Sequence, residues 1–168
     1  MENYNKTFEV KKVKGWKKRF EIYDNGTTIA AVDFPSRWKK AAILQAGDKQ
    51  YKVARRGFWR SRLELQAEQS PFTKWTLPMT WKGALSIRTD DNREYSLKRK
   101  GFFKCSWFWY DQSQNPLIEM KSAKWSFQKK GTIGTNQSNS DTFLLLSMIG
   151  WFVLICYEDD AAAVAAAS

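Results

Sequence analysis

The stretch from Thr142 to Tyr157, TFLLLSMIGWFVLICY, runs for sixteen residues without a charge. It limits the fold more than any other part of the chain. As a helix it would be about 24 Å long at 1.5 Å per residue. That is short of the roughly 20 residues a bilayer span requires. It is apolar on every side, so lipid or protein must surround it. The polar segment GTIGTNQSNSD (131–141) precedes it, and Ser140 or Asp141 can cap its start. EDDAAAVAAAS follows it. Glu158, Asp159 and Asp160 would oppose the helix dipole if the helix stopped there. The alanines carry the helix onward and leave the acidic trio in mid-helix. Basic residues before the run and acidic ones after it also fit a tail anchor whose N-terminal part stays cytoplasmic. Two architectures therefore compete, a core helix and a membrane anchor.

The rest of the chain reads as strands. Phe20 and Ile22 alternate with Arg19 and Glu21, and Leu63 and Leu65 alternate with Arg62 and Glu64. Ile43, Val53, Leu85 and Ile87 continue the pattern. A period of two buries one face and wets the other. Turn residues separate the runs: Asp24-Asn25-Gly26, Ala46-Gly47-Asp48, Asp90-Asp91-Asn92 and Gln114-Asn115-Pro116. An internal repeat underlies these strands. YKVARRGFWRSRLEL (51–65) matches YSLKRKGFFKCSWFW (95–109), an offset of 44 residues from Tyr51 to Tyr95. Upstream, Trp38 falls on Trp81 and Ala41 on Ala84, with one insertion. A weaker copy, KGWKKRFEIYDNG (14–26), has an FEIYD that echoes WFWYD at 107–111. Each unit spans three or four strands, and the glycines of GFW and GFF mark bends. Three copies are too few for a propeller. The expected architecture is all-β, an antiparallel barrel with one C-terminal helix. It is a single domain over 1–168: repeated strands over 1–134, a polar linker over 135–141, and a hydrophobic helix over 142–168.

Repeated GFW and GFF strand units followed by one apolar C-terminal helix resemble the tubby C-terminal-like superfamily. That group holds the tubby domain, phospholipid scramblases and plant LURP-one-related proteins. The resemblance covers nearly the whole chain, through element order and repeat rather than a sharp motif. It implies a closed barrel of about twelve antiparallel strands around a central hydrophobic helix, with Phe143 to Tyr157 as the plug. It also implies phosphoinositide-like headgroup binding, although no tubby binding motif matches residue by residue.

Composition narrows the chemistry. Lys and Arg outnumber Asp and Glu by 28 to 17, a net charge of +11. That favours anionic partners, whether lipid headgroups or nucleic acid. The chain has no histidine, which removes the commonest general base and nitrogen ligand. Its two cysteines, Cys105 and Cys156, lack CxxC spacing. No nucleophile or phosphate-loop motif is present, and Asp90-Asp91 and Asp159-Asp160 read as a turn and a helix segment. No catalytic set, cofactor or metal site is expected. The N-terminal MENYNKTFEVKKVKGWKK has no apolar signal region, so the expected setting is cytoplasmic, with membrane association, for a monomer.

Candidate anion-binding residues are Arg55, Arg56 and Arg60 in one repeat and Arg99, Lys100 and Lys104 in the next. The repeat places them equivalently, and arginine can clamp phosphate bidentately. Further basic clusters are Lys11-Lys12-Lys14, Lys17-Lys18-Arg19 and Lys129-Lys130. Solvation of an outer wall explains many such clusters equally well. Phe58-Trp59, Phe102-Phe103 and Trp107 to Tyr110 could stack bases or fill the core, with Phe108 turned outward. The expected function is a non-enzymatic module binding anionic lipid headgroups at the cytoplasmic membrane face. The alternatives are a tail-anchored or scramblase-like membrane protein and a nucleic-acid binder.

Overall fold

The computed structural model describes residues 4–36, 40–57, 61–69, 74–80, 82–101, 106–123 and 129–167. Twelve strands follow in chain order: β1 (Lys6–Lys12), β2 (Lys18–Asp24), β3 (Thr27–Phe34), β4 (Ala41–Ala46), β5 (Lys49–Arg56), β6 (Arg62–Ala67), β7 (Lys74–Pro78), β8 (Leu85–Arg88), β9 (Glu94–Lys100), β10 (Ser106–Tyr110), β11 (Pro116–Ser122) and β12 (Lys129–Thr135). One helix, α1 (Asp141–Ala167), ends the described chain.

Every strand pairs antiparallel with its neighbours in sequence, except that β7 and β8 part. β1 pairs β12, with Phe8 opposite Ile133, and so curls the sheet round. β7 and β8 are therefore the two free edges. Among the described residues, the bridge Met79–Leu85 links them. The result is a barrel closed except for a seam. Tight turns hold the register. Asn25 and Gly26 both take positive φ, at 47° and 85°, the geometry of a two-residue turn that matches strand twist. The repeat corresponds to four strands, so that the FEIYD strand β2 and the WFWYD strand β10 stand at equivalent places with β6 between them.

Alternation sends one side chain in two to the interior. Phe8, Val10, Phe20, Ile22, Leu63, Leu65, Leu97 and Trp109 are almost wholly buried. Each such side chain contributes about 1.5–3 kcal/mol by leaving water. β4 runs in the other phase from that suggested by Ile43. Ala42 and Leu44 are buried, and Ile43 is half-buried beside Lys52 on the outer wall. Val53 fixes this, because it points inward directly across from Ala42.

The charge-free segment lies inside the barrel. Phe143 and every residue from Leu146 to Cys156 are buried, on all sides of α1, and Tyr157 is half-buried. The helix starts where Ser140 Oγ accepts the Phe143 N–H at 3.1 Å, an N-cap. Its middle is seated against the wall. The Trp109 indole donates to the Leu146 carbonyl at 2.7 Å, and Phe152 stacks on Phe34 at 5.6 Å. Gly150 permits this approach. A Cβ there would come within 2.3 Å of Met120 Cε and 2.7 Å of Trp109 Nε1. The helix does not stop at its acidic trio, and Ala161–Ala167 continue it beyond the barrel as exposed turns.

Candidate functional site

Because the strands alternate in direction, the connections sort by end. At the end where α1 begins they read NG (25–26), GD (47–48), EQSPFT (68–73), TDDNR (89–93), DQSQN (111–115) and NQSNS (136–140). These hold several carboxylates and a single basic residue, Arg93. At the end where α1 emerges they read VKGWK (13–17), PSRWKK (35–40), GFWRS (57–61), MTWKGA (79–84), GFFKC (101–105) and AKWSFQ (123–128). Each of these six carries at least one Lys or Arg and at least one Trp or Phe, and none carries a carboxylate. Residues 37–39, 58–60, 81, 102–105 and 124–128 of them lie outside the described residues. The barrel thus has an acidic end and a basic, aromatic end.

Inside the basic end, strand termini grip the emerging helix. Lys18 Nζ pairs with Asp159 at 2.6 Å. Lys40 and Arg55 both pair with Asp160, Arg55 Nη1 at 2.5 Å. Lys130 reaches Glu158 at 3.8 Å. Arg99 donates to the Tyr157 hydroxyl and lies over its ring at 4.5 Å from the centroid. Partial burial pushes the Asp160 carboxyl upward, but the hydrogen bonds from Lys40 and Arg55 outweigh it and hold the group below its ordinary range. This belt explains why three acidic residues stand in mid-helix. They are the counter-ions of a basic rim.

The belt also places the arginines singled out from the repeat. Arg55 and Arg99 occupy equivalent places on β5 and β9 and turn inward, where α1 engages both. Their neighbours Arg56 and Lys100 turn outward. Arg56 is largely exposed, with Glu64 at 3.3 Å. Lys100 lies over Phe108 and Tyr110, at 5.6 and 5.3 Å from the ring centroids. Phe108 is only half-buried, on the outer wall, as expected. Arg60 and Lys104 lie outside the described residues. Within each pair, then, alternation separates the two charges across the wall, and the inward member faces an internal partner.

Uncommitted positive charge sits instead at the β1–β2 tip. Lys12, Lys14 and Lys17 are exposed. Among the described residues, no carboxylate lies within ion-pair reach of them, whereas Lys11 meets Glu9 at 3.2 Å and Lys18 meets Asp159. Between them stands Trp16, 96% exposed. Trp16 and Val164 are the exposed large hydrophobic side chains among the described residues, and both are at the basic end. The sequence contained a signal for this tip: KGWKK is the first member of the aromatic–basic series continued by RWKK, GFWR, TWKG, GFFK and AKW. Comparing repeats end to end, rather than strand to strand, would have found it.

The seam opens two clefts onto α1. One, about 370 Å³, lies at the acidic end between Trp75 of β7 and Ile87 of β8, with Leu145 of the helix below and Asp90 and Asp141 at its mouth. The other, about 360 Å³, lies at the basic end between Arg55, Met79 and Gly83, and exposes Tyr157 and Asp160. Among the described residues no group of His, Cys, Asp and Glu is arranged to hold a metal ion. Burial pushes the Cys156 thiol up to about 12, so it is not poised as a nucleophile. The chain matches no protein-family model, no curated protein and no solved structure.

Proposed function

We propose that the protein is a non-enzymatic binding module that engages anionic lipid headgroups, at the cytoplasmic face of a membrane, through the basic end of its barrel. One observation carries this reading: the division of charge between the two ends. A module with lysines at one pole and carboxylates at the other is oriented by a negative surface as well as attracted to it. Each lysine near such a surface is worth about 1 kcal/mol. The uncommitted trio Lys12, Lys14 and Lys17 alone would supply about 3 kcal/mol, roughly a hundredfold in affinity.

The apolar groups at the same pole favour lipid over nucleic acid. Trp16 could stack on a base, but Val164 and the alanines around it have no counterpart in a polynucleotide. A bilayer interface accommodates both. The test is co-sedimentation with vesicles of phosphatidylcholine, with and without phosphatidylserine, at low and high salt, beside a single-stranded DNA titration. Binding to the anionic vesicles alone, weakened by salt, is the expected result. Tight DNA binding with no vesicle binding would replace this reading with the nucleic-acid one.

A further inference from the structure

We infer that the basic end penetrates the bilayer interface with two apolar prongs, Trp16 at the β1–β2 tip and the exposed Ala161–Ala167 extension of α1, so that the barrel stands end-on to the membrane. This rests on the preceding reading and specifies how that site meets its partner.

Four observations support it. Trp16 is 96% exposed, and a tryptophan on a tip finds its best environment at the headgroup boundary, where the ring is shielded and the indole N–H stays wet. Its flanking residues Lys14 and Lys17 are exposed and hold no carboxylate among the described residues, so they are free to contact headgroups as the ring enters. The second prong leaves the barrel at the same pole. Seven residues of helix, Ala161–Ala167, extend about 10 Å at 1.5 Å per residue, past the rim residues Met79 and Thr80, a length comparable with the headgroup layer of roughly 5–8 Å. That stretch contains no charge, and Val164 on it is 71% exposed. The acidic side chains that precede it in the helix, Glu158, Asp159 and Asp160, are paired with Lys130, Lys18, Lys40 and Arg55. The opposite pole has no comparable group among the described residues. Its turns, such as 89–93 and 111–115, are short and polar.

The geometry fixes the orientation as well. Two prongs on one pole cannot enter together if the barrel lies on its side. A label at either prong must therefore enter the interface while one on a turn of the other pole stays in water.

The experiment uses the full chain with Cys105→Ser, leaving buried Cys156 in place, and carries an environment-sensitive fluorophore on Trp16→Cys, Val164→Cys or Ser113→Cys. Each protein is bound to phosphatidylserine-containing vesicles. The expected result is blue-shifted emission for the labels at 16 and 164, quenched by a lipid-borne nitroxide and shielded from iodide, with the label at 113 unchanged. In parallel, unlabelled Trp16→Ala should bind the same vesicles roughly tenfold more weakly with unchanged thermal stability, and Trp16→Phe should retain most of the affinity. If the wild type binds anionic vesicles but the labels at 16 and 164 stay open to iodide, or Trp16→Ala binds like wild type, penetration is wrong while headgroup binding stands. If the label at 113 is the one protected, the orientation is reversed and the inference falls. If the wild type does not sediment with anionic vesicles at any salt, the underlying reading fails with it.

Discussion

The two ends of this barrel are built from the same strands and the same repeat, yet they differ in nearly every physical respect. At the acidic end the turns 25–26, 89–93 and 111–115 are short and polar, with their own local ties. Asp111 accepts the Asn115 backbone N–H at 2.8 Å, Asp91 meets Arg93 at 3.1 Å, and Asp24 is held by Lys6 at 2.6 Å and by the Asn139 amide at 3.0 Å. Such turns fix register. At the basic end the connections carry aromatics and lysines, and the described tip there spends neither on local structure. Trp16 packs on nothing, and Lys12, Lys14 and Lys17 meet no carboxylate among the described residues. The basic residues that are spent there hold the helix. An exposed tryptophan contributes little to the stability of the folded chain, and the proposed reading assigns Trp16 and the lysines beside it to binding.

The comparison can be broken in several ways. The largest effect should come from the uncommitted charge. Lys12→Gln, Lys14→Gln and Lys17→Gln together should weaken binding to phosphatidylserine vesicles roughly a hundredfold and flatten its salt dependence. Asp90→Asn with Asp91→Asn at the other pole should not weaken it. Vesicle titrations compare the two, and equal losses at both ends would remove the distinction.

Next comes the helix that joins the ends. Gly150→Ala forces a Cβ to within 2.3 Å of Met120 and should cost about 2–3 kcal/mol by overpacking. A melting temperature lower by roughly 5–10 °C would show this. An unchanged melting temperature would mean that α1 is not seated against Trp109 and Met120.

A smaller loss is expected at the belt. Asp160→Asn removes the shared partner of Lys40 and Arg55. With its side chain 36% exposed, solvent screening reduces the effect to about 1 kcal/mol. The same group gives a pH dependence. Its carboxyl is held below the ordinary Asp value of 3.8, so the wild type gains stability above that value and loses it as pH falls below it. Denaturation curves between pH 5 and pH 3 should converge for wild type and Asp160→Asn, and parallel curves would argue against the belt.

The smallest effect belongs to the acidic end. The Lys49–Asp141 pair raises the lysine above its ordinary range through that hydrogen bond, but Asp141 is 75% exposed. Lys49→Gln should leave both melting temperature and vesicle binding as they are.

Much of the architecture was legible in the residues. Period-two strands with turn residues between them, followed by a charge-free run, leave a barrel around a helix as one of two competing architectures, and the family resemblance selects it. The Ala run after Asp160 correctly carried α1 past its acidic trio. Two things were less legible. The phase of β4 depends on Val53 across the sheet, a contact between strands that a single segment does not reveal. The roles of Arg55 and Arg99 depend on Asp160 and Tyr157, more than fifty residues away in the chain. Sequence equivalence rightly gave them matching places, but not the partner that takes their charge. Trp16 was less legible too, because the aromatic–basic series to which it belongs gathers at one end only once the strand directions are known.

Hydrogen–deuterium exchange, with and without phosphatidylserine vesicles, reads both ends of the molecule in one experiment. The account predicts slowed exchange over the β1–β2 tip, residues 12–18, and over 161–167, with no change at the 89–93 and 111–115 turns. Protection confined to those turns, or spread evenly around the barrel wall, would contradict it.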